Sequence, residues 1–258
     1  MVLFGNNLIV ATDMKNKYIY IIMLCVCAVL HIACSDDGID FNTNDQELKE
    51  ADSWNVDYDI TGTLDGHGYV DLGLSVKWAT CNIGSSHPLS PGLYFAWGEV
   101  TAKDSYSWDN YKFALMPDFL MTKYCLQKNV GLDGLVDELS VLQPEDDAAT
   151  QNWGENWRMP TDGELEELRT LCTWQWVVGD NINFYKVTAP NGHYILIPAC
   201  GSIKNKERIM YVLNGCLWTS SLSATSSVKA HELTFYNSGY WEGSVERYYG
   251  EQVRAVLK

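Results

Sequence analysis

The sequence predicts an α+β protein with a single domain of short, largely antiparallel strands and one or two short helices. Three observations lead to this fold class. Apolar and polar residues alternate over many short segments, which is the period of a half-buried strand. Only the segment 161–172 combines a helical period with a helix start. From residue 69 onward, about 190 aromatic-rich and apolar-rich residues are enough for one buried core.

The predicted helix has the most specific local pattern in the chain. Thr161 followed by Glu164 forms a capping box, in which each side chain accepts a hydrogen bond from the other residue's backbone N–H. Leu165, Leu168 and Cys172 then recur at helical spacing and predict one apolar face. We therefore expect a short amphipathic helix that starts after Thr161 and packs on the core.

The predicted strands lie on both sides of this helix. Before it, apolar residues alternate over 70–78, and a second short strand covers 94–98. After it, segments 181–189 and 194–199 are joined by Pro190, Asn191 and Gly192, and Asn-Gly is a strong hairpin pattern. Segments 217–220, 231–236 and 252–257 complete the set. Residues 103–145 are less regular and predict a long excursion with one short helix.

Six sequence blocks carry a resemblance to a known family. The central one is Trp-Arg-Met-Pro-Thr-Asp-x-Glu at residues 157–164, and the others follow the same order along the chain, at residues 69–84, 94–99, 194–201, 217–221 and 253–256. In these blocks the chain resembles the Fibrobacter succinogenes major paralogous domain, which is common in surface lipoproteins of Bacteroidetes. The resemblance implies a C-type-lectin-like domain over residues 69–258. It implies little about activity.

The N-terminal segment predicts export and a lipid anchor. Lys15 and Lys17 precede an apolar run of about 16 residues, which is shorter than the roughly 20 needed to span a bilayer. Residues 1–33 are therefore predicted to be a signal peptide, with Met14 as a possible true start. The residues before Cys34 resemble a bacterial lipobox, which implies acylation of Cys34, and the acidic residues after it resemble an export tag for the outer face of the outer membrane. An ordinary secretory signal is the alternative.

Residues 34–68 are predicted to be an acidic, lipid-anchored linker. They carry many aspartates and glutamates against the single Lys49, and a segment of low hydrophobicity and one sign of charge stays extended. Asp57 and Asp59 fit this solvated linker better than a calcium site. The whole chain has a net charge of −15, which argues against nucleic acid and against electrostatic docking on an anionic membrane.

The sequence offers little support for catalysis, a metal or another cofactor. The histidines lack metal-ligand spacing, and the part of the chain after Cys34 contains no CxxC motif. The chain also resembles sulfatase-modifying factors through Arg-x-Pro-Thr-x-x-Glu. In those enzymes two late cysteines carry the chemistry, so Cys200 and Cys216 are the residues to test for this alternative. Their surroundings do not match that pattern, and buried structural cysteines are favoured.

The predicted ligand-binding residues are aromatic and lie late in the chain: Tyr236, Asn237, Tyr240, Trp241 and Tyr248. Large amphipathic rings with small hydrogen-bonding neighbours are typical of recognition surfaces. The alternative is a hairpin whose rings pack on the domain. We therefore expect a non-catalytic surface module that binds a glycan, a matrix or a partner surface protein. An enzyme related to sulfatase-modifying factors and a structural component of a surface assembly are the other hypotheses.

Overall fold

A computed structural model describes residues 56–257. In this range seventeen short strands form several small sheets, and there are two α-helices. Nearly all strand pairs are antiparallel; one pair is parallel. This confirms the predicted strand-rich α+β class with largely antiparallel sheets and one or two short helices.

The first sheet brings the two ends of the described chain together. It has the order β1-β2-β3-β17-β7, with β1 at Gly62–Leu64, β2 at His67–Val70, β3 at Lys77–Ala79, β7 at Trp157–Arg158 and β17 at Val256–Leu257. The C-terminal strand β17 lies between β3 and β7, because Val256 pairs with both Trp78 and Arg158. The Trp-Arg-Met-Pro segment is therefore an edge strand that leads into the second helix.

The second sheet is the larger one and carries the late aromatic residues. Its order is β15-β14-β13-β16-β4, with β4 at Tyr94–Phe95, β13 at Asn214–Leu222, β14 at Lys229–Tyr236, β15 at Gly239–Glu246 and β16 at Glu251–Gln252. β13 is buried along its whole length, since every one of its residues is shielded from solvent. β15 is the edge strand of this sheet, so the outer edge of the late hairpin has no neighbouring strand in the sheet.

A three-stranded meander and two small ribbons complete the strands. The meander consists of β8 at Thr173–Val177, β9 at Phe184–Thr188 and β10 at Tyr194–Pro198, in the order β10-β9-β8. Thr188 pairs with Tyr194 across the loop that contains Asn191 and Gly192, which confirms the predicted hairpin. The ribbons pair β5 at Ala114–Leu115 with β6 at Leu120–Met121, and β11 at Ser202–Lys204 with β12 at Glu207–Ile209.

The two α-helices are α1 at Ala148–Trp153 and α2 at Asp162–Leu171. The predicted capping box is present at α2: the Glu164 N–H donates to Thr161 Oγ1 at 3.3 Å, and the Thr161 N–H donates to Glu164 Oε2 at 2.9 Å. Arg158 forms an ion pair with Glu164 and so joins the edge strand β7 to the cap. Leu165 and Leu168 are buried, as the apolar stripe predicts.

The irregular segment 103–145 contains three short 3-10 turns, at Trp108–Asn110, Leu132–Gly134 and Pro144–Asp146, together with the ribbon β5–β6. These turns stand where the sequence predicts one short helix. Their place in the fold depends on long-range contacts. The Arg247 guanidinium is fully buried and donates to the Tyr111 hydroxyl at 2.7 Å and to the Tyr124 carbonyl at 3.2 Å.

The ordered domain begins earlier than the predicted boundary at residue 69. β1 pairs with β2 through Gly62 and Tyr69, and Asp59 Oδ2 accepts a hydrogen bond from the Tyr194 N–H at 3.0 Å. Residues from Asp59 to 68 therefore belong to the folded domain, which corrects their prediction as linker. The prediction relied on the acidic composition. In a sequence, an aspartate that is ordered by a hydrogen bond cannot be distinguished from a solvated one.

Candidate functional site

The candidate site lies on the β14–β15 hairpin, whose register decides which rings face out. Thr234 pairs with Trp241 and Phe235 pairs with Tyr240, and the turn between the strands is Asn237-Ser238. Successive residues of a strand point to opposite faces of the sheet. Tyr240 therefore shares the inner face with buried Phe235, whereas Trp241 shares the outer face with Thr234 and Tyr236.

On the inner face, Tyr240 packs against the meander. Its ring is stacked on Trp174, with centroids 4.4 Å apart and an angle of 24° between the planes. It also meets Tyr185 edge to face at 5.7 Å, and the Tyr185 hydroxyl donates to the Tyr236 carbonyl at 2.8 Å. Tyr240 is a predicted ligand contact. Its ring packs from β15 onto Trp174 of β8, and this contact holds the hairpin in place.

On the outer face, Trp241 is the exposed ring of the hairpin, with 47% of its surface accessible. The Tyr236 ring supports it edge to face at a centroid distance of 5.4 Å. Asn237 is exposed at the turn beside Tyr236. We call Tyr236, Asn237 and Trp241 the hairpin platform. It combines an exposed flat ring, a supporting ring and an amide that can donate and accept hydrogen bonds.

Tyr248, the last of the predicted ligand-binding residues, does not belong to the hairpin platform. It is buried and packs on Trp108 at 4.9 Å and on Tyr249 at 4.8 Å. The reason is its neighbour Arg247, whose guanidinium lies in the core and draws the chain inward after β15. The structure therefore brings together three of the five predicted residues.

The sequence analysis missed the residues that fix the hairpin, Trp174 and Tyr185. The alternation of Trp174 and Trp176 predicts a strand, and Tyr185 lies within a predicted strand. Their contact with Tyr240 bridges more than fifty residues of sequence. A single sequence contains no signal for such a pairing between two sheets.

A carboxylate on the inner face of the same hairpin, Glu242, has a raised pKa. Burial raises the pKa of Glu242 to about 7, and its hydrogen bond with Glu166 of α2 adds to the rise. Arg169 Nε lies 3.6 Å from Glu242 Oε1 and also pairs with Glu166. Glu242 pairs with Leu233 and therefore lies on the inner face, opposite to the exposed Trp241 ring, where it faces α2.

The candidate cysteines of the enzyme hypothesis are buried. Burial, with the neighbouring Glu251 and Glu232, raises the pKa of the Cys216 thiol well above its usual range. Cys200 is fully buried, and its backbone carbonyl accepts a hydrogen bond from the Tyr94 hydroxyl at 2.7 Å. A thiol acts as a nucleophile in its thiolate form, which burial disfavours. This agrees with the predicted buried structural cysteines.

A separate groove of about 470 Å³ opens beside the first sheet. His67 is stacked on Trp153 with centroids 3.8 Å apart, and both residues line the groove together with Thr80 and Cys81. The buried Thr80 hydroxyl has no hydrogen-bond partner among the described residues. The groove is a second concave, partly aromatic surface, but its rings are more enclosed than Trp241.

Cys34, the predicted acylation site, lies outside the described residues, as do the signal peptide and the first part of the linker. Within residues 56–257, no helix is long and apolar enough to cross a bilayer. Comparisons of the chain with protein-family models, with curated proteins and with solved structures find no match.

Proposed function

We propose that this protein is a non-catalytic recognition module that binds carbohydrate through the hairpin platform. The observation that carries the proposal is the exposed ring of Trp241 on the edge strand β15, supported by Tyr236 of β14. Sugars stack their apolar C–H faces on such rings, while neighbouring polar groups bind the hydroxyls. Asn237, exposed at the turn beside Tyr236, supplies such a polar group.

Rigidity of the hairpin platform supports the proposal. Binding costs less free energy when the contact groups are already held in place. Tyr240 stacks on Trp174, and the Tyr185 hydroxyl bonds the Tyr236 backbone, so two contacts fix the strands beneath the exposed ring. The ring therefore meets a ligand without first being ordered.

The charge of the chain narrows the class of ligand. A net charge of −15 repels sulfated and other polyanionic glycans over distances of about a Debye length. The ligand class that fits is an uncharged glycan, presented on a cell surface or in a matrix. A partner surface protein that buries Trp241 is the alternative occupant of the same platform.

The proposed architecture follows from the sequence resemblance. The domain would be C-type-lectin-like and related to the Fibrobacter succinogenes major paralogous domain. An acylated Cys34 would hold it on the outer membrane, exposed at the cell surface. The folded domain begins by Asp59, so the tether between lipid and domain is about 25 residues, which reach at most about 85 Å when fully extended.

The test is a glycan array probed with the full chain in detergent, as wild type and as Trp241→Ala. The matched control is Phe119→Ala, because Phe119 is exposed to nearly the same extent, 45%, on a different ribbon. We expect Trp241→Ala to lower affinity at least about tenfold and Phe119→Ala to leave it unchanged. Circular dichroism checks that both variants fold.

Two outcomes would contradict the proposal. Equal binding by wild type and Trp241→Ala would show that the hairpin platform is not the binding site. The groove beside Trp153 would then be tested. Silence of the wild type across the array would contradict carbohydrate binding itself. In that case a pull-down from surface-protein extracts, again comparing Trp241→Ala with Phe119→Ala, tests the protein partner.

A further inference from the structure

Three chemically reactive side chains meet in the second sheet, on the face that also carries the hairpin platform. Cys216 on β13, Glu232 on β14 and Glu251 on β16 place a sulfur and two carboxylate oxygens within 4.8 Å of one another. All three residues are buried, and Glu251 is only 1% exposed. They come from three adjacent strands, so the cluster depends on the sheet order and not on sequence proximity.

The protein provides no obvious reason for two buried carboxylates at this place. Among residues 56–257, the charged neighbour that acts on Glu251 is Glu232, itself a carboxylate, and the two carboxyl groups hydrogen-bond to each other. Glu251 Oε2 has no hydrogen-bond partner, and neither has the nearby Asn214 Oδ1, whose amide nitrogen lies 3.6 Å from Cys216 Sγ. Buried polar atoms are nearly always paired, and buried carboxylates are paired or coordinate a metal.

We propose that Cys216, Glu232 and Glu251 bind a divalent transition-metal ion of the zinc class. One thiolate and two carboxylates form a mixed sulfur and oxygen set, which suits Zn²⁺ and its spectroscopic substitute Co²⁺. Ca²⁺ and Mg²⁺ fit poorly, because they require six or more oxygen ligands and do not favour a thiolate.

The geometry needs only a small adjustment to close around such an ion. With Zn–S near 2.3 Å and Zn–O near 2.1 Å, tetrahedral ligand atoms lie about 3.5 Å apart. The three side chains must therefore approach by about 1 Å, which rotation about their terminal torsions can supply. The Asn214 amide Nδ2 donates to Cys216 Sγ at 3.6 Å and so orients the sulfur, as groups around metal ligands commonly do.

The position of the site indicates a structural role and an entry path. A metal ion here would join β14, β13 and β16, and so link the late hairpin to the strand pair β16–β4. Gly243 pairs with Glu232 on the edge strand, and a Cβ at that position would lie 3.6 Å from Glu232 Oε1. The missing side chain leaves an approach to this carboxylate from the sheet edge.

The experiment titrates Co²⁺ into the full chain, purified without a tag and stripped of metal by chelation. We expect one equivalent to bind with a thiolate-to-cobalt charge-transfer band, and Zn²⁺ to displace it. In the wild type, Zn²⁺ should raise the melting temperature and a chelator should lower it again. A wild-type protein that shows no charge-transfer band, or no thermal shift with Zn²⁺, would overturn the proposal without recourse to any variant.

Variants then locate the site. Cys216→Ser should abolish the charge-transfer band, and Glu251→Gln should weaken Co²⁺ binding at least about tenfold. The matched controls are Cys172→Ser, another buried cysteine, and Glu99→Gln, another buried carboxylate, and both should bind as the wild type does. A charge-transfer band that survives in Cys216→Ser would place the metal at another thiol and contradict this site. Co²⁺ binding by Glu251→Gln as tight as by the wild type would remove Glu251 from the ligands and contradict it as well.

Discussion

At the scale of single residues, Glu242 shows how the surroundings change a side chain's chemistry. It lies on the edge strand between Trp241 and Gly243, a position at which sequence alone predicts an ordinary solvated carboxylate. Partial burial and the adjacent Glu166 favour its protonated form. The negative charge between the hairpin and α2 is therefore reduced at neutral pH.

This residue predicts a pH dependence of stability. The unfolded carboxyl has its ordinary pKa of 4.5, and the folded pKa is about 7, so the folded state holds the proton more tightly. The contribution of Glu242 is therefore complete below the unfolded pKa and is lost as pH rises through about 7. Glu242→Gln, which mimics the protonated form, should remove this loss.

The measurement is the free energy of unfolding in urea at about pH 5 and about pH 8, for wild type and Glu242→Gln. The difference between the two proteins should grow at the higher pH in favour of the variant. Glu155→Gln, which changes an exposed carboxylate on another part of the surface, is the control. An equal pH dependence of wild type and Glu242→Gln would contradict the raised pKa of Glu242.

At the scale of elements, the β14–β15 hairpin has two faces with different tasks. The inner ring of Tyr240 packs on Trp174 and Tyr185, while the outer ring of Trp241 stays exposed. Tyr240 and Trp241, which the sequence groups as ligand-binding residues, therefore lie on opposite faces of the hairpin because strand residues alternate. Trp241 can form a rigid surface because the ring of its neighbour Tyr240 is packed on the meander.

We predict that Tyr240→Ala destabilises the domain although Tyr240 does not touch the proposed ligand. Loss of the half-buried ring and its stacking on Trp174 should lower the free energy of unfolding by about 2–3 kcal/mol. Tyr240→Phe is the matched control, because it keeps the ring and should stay within about 1 kcal/mol of wild type. Denaturant titration measures both, and equal stability of Tyr240→Ala and wild type would show that the stacking does not hold the hairpin.

The capping box at α2 is the element that sequence predicts best. Thr161 and Glu164 need only three residues of sequence and a helical backbone to find each other. The ion pair between Arg158 and Glu164 extends this local pattern to the preceding edge strand. The hairpin at Asn191-Gly192 is predictable for the same reason, since its turn chemistry is contained in two residues.

At the scale of the whole molecule, buried arginines organise segments that lack regular structure. Arg254 is fully buried and donates to the backbone carbonyls of Ala79, Thr80 and Leu196. Arg247 does the same for the irregular segment around Tyr124. Five fixed donors on one planar group satisfy several loop carbonyls at once. Long loops can therefore pack without leaving their backbone unpaired.

The early start of the fold gives a prediction at this scale. A chain that begins at residue 56 keeps β1 and β2, whereas a chain that begins at residue 69 loses the His67–Trp153 stack and the hydrogen bond from Thr80 to Gly68. We expect the shorter chain to be less stable by about 2 kcal/mol or more, since it uncovers rings of the first sheet. Thermal melts compare the stability of the two chains. Equal melting temperatures would show that the folded domain begins at residue 69, as the sequence predicts.

The sequence by itself determined the local elements and the class of fold. Alternation, the capping box and the Asn-Gly turn depend on residues a few positions apart, so one sequence contains all the information they need. The tertiary structure alone decided which of the late aromatics is exposed, where the folded domain begins, and that Cys216, Glu232 and Glu251 meet. These facts depend on strand order and on packing between distant segments, and such contacts leave no periodic trace in a single chain.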